Sequence, residues 1–174
     1  QNKPYGQSGG DPEKPRHWNL TVVSNSYFEA NREYSTRTDY VPYHSHLQVI
    51  VLSKEVACCD ISKLFDMFLR DPEMRRRTKL FITPGKAVDV LKVVPEIDDY
   101  SSQYLRWLTN NSTKTSRMLH RIDLGEVSKA MHENRDFALP KVVASKREIK
   151  NAGCAVFKDN KFVGWLDEIK TGYL

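Results

Sequence analysis

The period of apolar and polar positions changes several times along the chain, and each change predicts an element. Leu47, Val49, Ile50, Val51 and Leu52 form a short run rich in β-branched side chains, the pattern of a strand covered on both faces. Behind it Ile61, Leu64, Phe65, Phe68 and Leu69 recur at i, i+3, i+4, i+7 and i+8, which predicts an amphipathic helix from about Ile61 to Arg70. Asp60 is placed to cap that helix, and Pro72 ends it. Lys79–Thr83 (KLFIT) predicts another strand, closed by Pro84-Gly85, and Ala87–Val93 a further helix. Upstream, His17–Val23 (HWNLTVV) reads as a first strand. Ser26 with Glu29 has the pattern of a capping box opening a short helix to about Tyr34. Strand followed by helix, repeated in this way, predicts right-handed crossovers and a parallel sheet up to about Val94.

The rhythm shifts after Pro95. Ile97, Tyr100, Tyr104, Leu105, Trp107 and Leu108 predict a helix to about Asn110, with Asp98 and Asp99 in its first turn and the aromatic residues in the core. Asn110–Thr113 reads as a loop. Asp123 is the expected cap of a helix from Leu124 to about Asn134, with Val127, Ala130 and Met131 facing inward. Lys141–Ser145 follows, and then a hairpin, Ala152–Phe157 and Lys161–Leu166, joined by Asp159-Asn160, which tolerate positive φ. The expected fold class is α/β, α+β overall: a small, mostly parallel βαβ layer, then helices and an antiparallel β-hairpin section. Residues 1–94 are drawn as an N-terminal α/β domain, and 95–174 as a second, helical plus β-hairpin domain incomplete at its C-terminus. No internal repeat is present.

Composition narrows the functional classes. A chain of 174 residues can bury a real core, and 27 Lys+Arg against 22 Asp+Glu give a formal charge of +5, which suits an acidic partner or an anionic lipid surface. No apolar run approaches the ~20 residues of a membrane-spanning helix, and no signal-peptide pattern is readable. Cys58, Cys59 and Cys154 make no disulfide framework and are expected as buried free thiols. His44 and His46 are the best catalytic candidates by type. They precede a strand, however, whereas ligands gather at the carboxyl ends of doubly wound sheets, so a structural role is expected for both. Joined to the cysteines, HxH and CC lack metal-ligand spacing. Asp98-Asp99 and Asp167-Glu168 are adjacent pairs whose side chains point apart. Thr83-Pro84-Gly85-Lys86 lacks the phosphate-loop pattern. No catalytic residue, cofactor or metal site is assigned.

Two surfaces stay open. Arg75, Arg76, Arg77 and Lys79 form the densest basic cluster and the candidate contact for a partner or a membrane surface. Aromatic residues do not interleave with it, which argues against single-stranded nucleic acid. The alternative is a small-ligand or anion pocket at the strand ends near Ser53, Lys54, Thr83 and Gly85.

The segments His46–Leu52 (HLQVIVL), Phe68–Glu73 (FLRDPE) with Arg75, and Gly153–Asp159 continuing through Val163–Asp167 resemble the Ger(x)C family, the C subunits of spore nutrient-germinant receptors in Bacillus-like spore formers. The resemblance runs from about His17 to the C-terminus. It implies a non-enzymatic lipoprotein on the outer face of the spore inner membrane, held by a lipid anchor outside this chain. It further implies action with membrane-embedded A and B subunits in receptor assembly and germination signalling, and no nucleic acid among the partners. Family members continue into a large C-terminal domain, so the chain is read as an N-terminal fragment.

Overall fold

Five strands form one sheet in chain order: β1 (Val49–Ser53), β2 (Lys79–Thr83), β3 (Phe137–Ala144), β4 (Ile149–Lys158) and β5 (Lys161–Leu166). The computed structural model describes residues 19–174 apart from 40–42, 97, 99 and 121. β1, β2 and β3 run parallel, while β3, β4 and β5 form an antiparallel meander, so the sheet is mixed. The helices are α1 (Tyr27–Arg37), α2 (Lys54–Ala57), α3 (Ser62–Arg70), α4 (Ala87–Lys92), α5 (Ser101–Leu108), α6 (Leu124–His132) and α7 (Glu168–Thr171). Short 3₁₀ turns lie at His44–His46 and Thr109–Thr113. Among the described residues no helix is long and apolar enough to cross a membrane.

The mostly parallel layer followed by helices and an antiparallel section is the architecture found. Its third parallel strand, however, is not His17–Val23. Residues 17 and 18 lie outside the described set, and residues 19–23 form no strand. All five residues of β2 are buried, so β2 needs a neighbour on each edge, and β3 supplies the second one from beyond α5 and α6. The two parts drawn from the sequence, 1–94 and 95–174, share this one sheet.

Alternation along the strands divides the core between the two faces. Leu80 and Ile82 join Ile61 at the cap of α3, Phe65 and Phe68 of α3, and Leu124 and Val127 of α6 on one face. Phe81 joins Val90 of α4 and Leu105 of α5 on the other. In β4 the rule changes midway: Ile149 packs on the α4–α5 side, but Ala155 and Phe157 pack on the α3–α6 side, although all three share one parity. The cause is a bulge in which Ala152 and Gly153 oppose Lys141 alone. Gly153 has φ +97, and a Cβ there would stand 2.1 Å from the Leu166 carbonyl oxygen, so only glycine fits. Pro140 sits beside the bulge, the place where a central strand tolerates a residue without an N–H.

Local chemistry accounts for the helix ends. Ser26 Oγ accepts from the Glu29 N–H at 3.2 Å, but the Glu29 carboxylate accepts from Asn25 N–H at 3.1 Å, one residue outside the expected box. α1 runs past Tyr34 to Arg37, whose side chain pairs with Glu33 at 2.9 Å. Asp60 caps from one residue further out, accepting from Ser62 N–H at 2.9 Å. α2 was not expected; Ser53 caps it, accepting from Val56 N–H at 3.4 Å. α5 begins at Ser101, whose hydroxyl donates to the Leu91 carbonyl at 2.8 Å, so Asp98 lies ahead of the helix and not in its first turn. Trp107 is 52 % exposed and Tyr100 39 %, so only Leu105 and part of Tyr104 fill the core place expected for this aromatic set. Asp159 (φ 49) and Asn160 (φ 61) form the expected two-residue hairpin turn. Of the three cysteines only Cys154 is buried; Cys58 and Cys59 stand exposed in the turn after α2.

Candidate functional site

The basic cluster lies on a loop whose backbone is fixed on both sides. Asp71 Oδ1 accepts from Glu73 N–H at 2.9 Å, and Met74, in the core, donates its N–H to the Asp71 carbonyl at 3.1 Å. The buried Thr78 hydroxyl lies 2.7 Å from the Arg75 carbonyl and 3.2 Å from that of Leu47. On the other side Gly125 N–H donates to the Arg76 carbonyl at 2.9 Å, an approach close enough that a Cβ at Gly125 would stand 3.2 Å from Arg76 Cβ. Arg75, Arg76 and Arg77 project outward, and among the described residues none of them has a carboxylate partner. Lys79 is different: it is 7 % exposed, and its Nζ lies 3.2 Å from Asp123 Oδ2. It ties β2 to the start of α6, so of the four cluster residues only the arginine triplet is exposed.

Arg75 and Arg77 line a cleft of about 470 Å³ at the amino ends of β1 and β2. His46, Gln48 and Thr78 also line it, and the last turn of α5 contributes Arg106 and Trp107. Arg106 stacks its guanidinium 5.4 Å from the Trp107 ring centroid. No Asp or Glu is among the described lining residues. A second cleft of about 650 Å³ carries both signs, with Glu96, Arg147 and Glu148 in its wall and Arg147 within 3.5 Å of Glu96. The basic cleft is therefore opposite to the carboxyl ends near Ser53, Lys54, Thr83 and Gly85 where a pocket was expected. Arg106 and Trp107 carry no sequence signal linking them to Arg75; only the packing of α5 beside β1 brings them together.

His44 and His46 are neighbours in sequence but serve different places. His46 lines the cleft, while His44 turns toward α1 and the end of α3. The Tyr27 hydroxyl lies 3.2 Å from His44 Nε2, and His44 Nδ1 lies 3.1 Å from Asp71 Oδ2. The His44 backbone N–H donates to Glu73 Oε2 at 3.2 Å. Hydroxyl, imidazole and carboxylate together suggest an activated nucleophile. The hydroxyl, however, lies 3.3 Å from Nδ1 as well as 3.2 Å from Nε2, so it does not line up through the ring with the carboxylate, and the electrostatics oppose activation. Burial, and after it the negative charge of Asp71, push the Tyr27 phenol up to about 12, so it stays protonated and unreactive. Its ring packs edge-on against Phe68 at 5.1 Å. The donor atoms of His44, Asp71 and Glu73 lie within 4.8 Å of one another, a spacing a cation could span. Both Asp71 oxygens and Glu73 Oε2 already face N–H or ring nitrogen partners. The set is a closed network that clamps α1 to the end of α3.

The clamp predicts a pH dependence. The folded chain holds the Tyr27 proton more tightly than the unfolded chain does, so stability falls as pH rises from the ordinary value of 10.0 toward about 12. Urea unfolding across that range should show a shallower decline for Tyr27→Phe than for the parent. Equal slopes would show that the phenol is not held in this way.

Comparison with known proteins agrees with the three sequence segments. A family model described as spore germination protein N-terminal domain matches residues 1–144. Spore germination protein YndF of Bacillus subtilis (strain 168) is 29 % identical over 169 residues, covering 95 % of this chain and 42 % of its own length. Spore germination protein B3 of the same organism is 28 % identical over 165 residues, covering 91 % and 44 %. The chain thus spans less than half the length of these relatives. A solved structure titled as that of the GerBC protein shares the fold, with a TM-score of 0.56 and 24 % identity over 80 % of this chain and 39 % of its own. The chain belongs to the Ger(x)C family of spore germination proteins.

Proposed function

We propose that this chain acts as a non-enzymatic subunit of a spore nutrient-germinant receptor, serving receptor assembly and germination signalling with the membrane-embedded A and B subunits. In this reading it is held on the outer face of the spore inner membrane by a lipid anchor outside these residues. The observation that carries the reading is family membership joined to the pinned loop bearing Arg75, Arg76 and Arg77. Unpaired arginines on a fixed backbone suit recognition of an acidic partner surface, because little order is lost on contact and complementary charge speeds and orients the encounter. Replacing all three by Glu in the full-length protein should reduce co-isolation of the A and B subunits from spores and slow nutrient germination, with melting of the purified chain unchanged. Normal co-isolation with normal germination would sink the proposal.

A further inference from the structure

The cleft at the amino ends of β1 and β2 gathers positive charge, with no Asp or Glu among its described lining residues. Arg75 and Arg77 enter from the pinned loop and Arg106 from the last turn of α5, while the charge of Lys79 is already matched by Asp123. Like charges in a concave site with low-dielectric walls reinforce one another's field and raise the local concentration of anions. The site also has an apolar side, the half-exposed Trp107 ring, and a buried acceptor without a partner among the described residues, Gln48 Oε1. Its volume of about 470 Å³ exceeds that of a bare inorganic anion and falls in the range of small-molecule sites, ~300–1,000 Å³.

We propose that this cleft binds a phosphate-bearing ligand, a mono- or diester whose organic part rests on Trp107. Guanidinium groups match phosphate oxygens with forked hydrogen bonds, which makes arginine the residue suited to phosphate recognition. The fixed backbone of residues 75–78 sets where two of the three side chains start, so binding orders side chains and not the loop. The site shares Arg75 and Arg77 with the assembly reading, but its failure is separable: ligand binding is read on the purified chain, where Arg106 takes part, and assembly is read on the receptor in the spore.

The phosphate can belong to a soluble ester or to a lipid headgroup, and two probes separate these. The purified chain is titrated with glycerol 3-phosphate, followed by tryptophan fluorescence, and sedimented with phosphatidylglycerol or phosphatidylcholine vesicles. Saturable binding of glycerol 3-phosphate identifies a soluble ester; sedimentation with phosphatidylglycerol alone identifies a headgroup. In either case Arg77→Ala and Arg106→Ala should each weaken binding about tenfold, the effect of losing a charge-assisted hydrogen-bonded contact. Arg76→Ala, on the same loop but outside the cleft, should leave it unchanged. The proposal is overturned if neither probe binds, if glycerate binds as well as glycerol 3-phosphate, or if Arg76→Ala weakens binding as much as the cleft variants.

Discussion

Phe65→Ala should lower the unfolding free energy by about 3–5 kcal/mol, the cost of removing a fully enclosed ring and leaving a cavity. Phe65 is 0 % exposed and sits among Ile61, Phe68, Leu80 and Phe157, drawn from α3 and its cap, β2 and β4, so several elements would have to move to close the gap. Urea unfolding of the purified chain measures the loss directly. A value below about 1 kcal/mol would show that this face of α3 does not form the core.

Asp123→Ala is expected to cost a similar amount, about 3–5 kcal/mol, for a different reason. One carboxylate does two jobs: Oδ1 accepts from Glu126 N–H at 3.2 Å to cap α6, and Oδ2 meets the nearly buried Lys79 ammonium at 3.2 Å. Losing the cap costs roughly 1 kcal/mol. The larger share comes from leaving an ammonium without its partner in a site that is only 9 % exposed. Asp123→Asn separates the two contributions, because the amide oxygen still caps while the charge is gone. If Asn is as stable as the parent in thermal and urea melts, the ion pair contributes little and the capping reading alone survives.

The parts of this fold that sequence reveals are those where local chemistry and tertiary packing agree. α3 shows itself through its apolar spacing, β2 through its apolar run, α6 through Asp123 and the hairpin through Asp159-Asn160. The misreadings occur where distant contacts decide. Asn19–Val23 has the composition of a strand but pairs with none: β3 is the third parallel strand, although the outer edge of β1 carries no partner strand among the described residues. Trp107 fits the helical period of a core residue, yet α5 presents Leu105 to the sheet and leaves the indole in the cleft wall. Cys58 and Cys59, expected to be buried, stand exposed in the turn between α2 and α3. The site was legible only in part. Arg75, Arg76 and Arg77 announce themselves as a run, whereas the burial of Lys79 depends on a carboxylate 44 residues away.

The bulge at Gly153 also has a consequence for how the chain reaches this state. The β3–β4–β5 meander closes through short turns, so it can zip up from local contacts on its own. β1 and β2 are likewise joined through α3. The link between these halves is the pairing of β2 with β3, where the paired register is Ile82 with Lys141, across a long intervening segment. Closing that loop carries the greatest entropy loss, which makes it the expected slow step of folding. Lys141 is the residue that the bulge faces, so Gly153 shapes the seam on which the two halves meet. Pulse-labelled hydrogen exchange during refolding should then protect β4 and β5 amides before those of β1, with the last arrivals marking the docking of β2 onto β3.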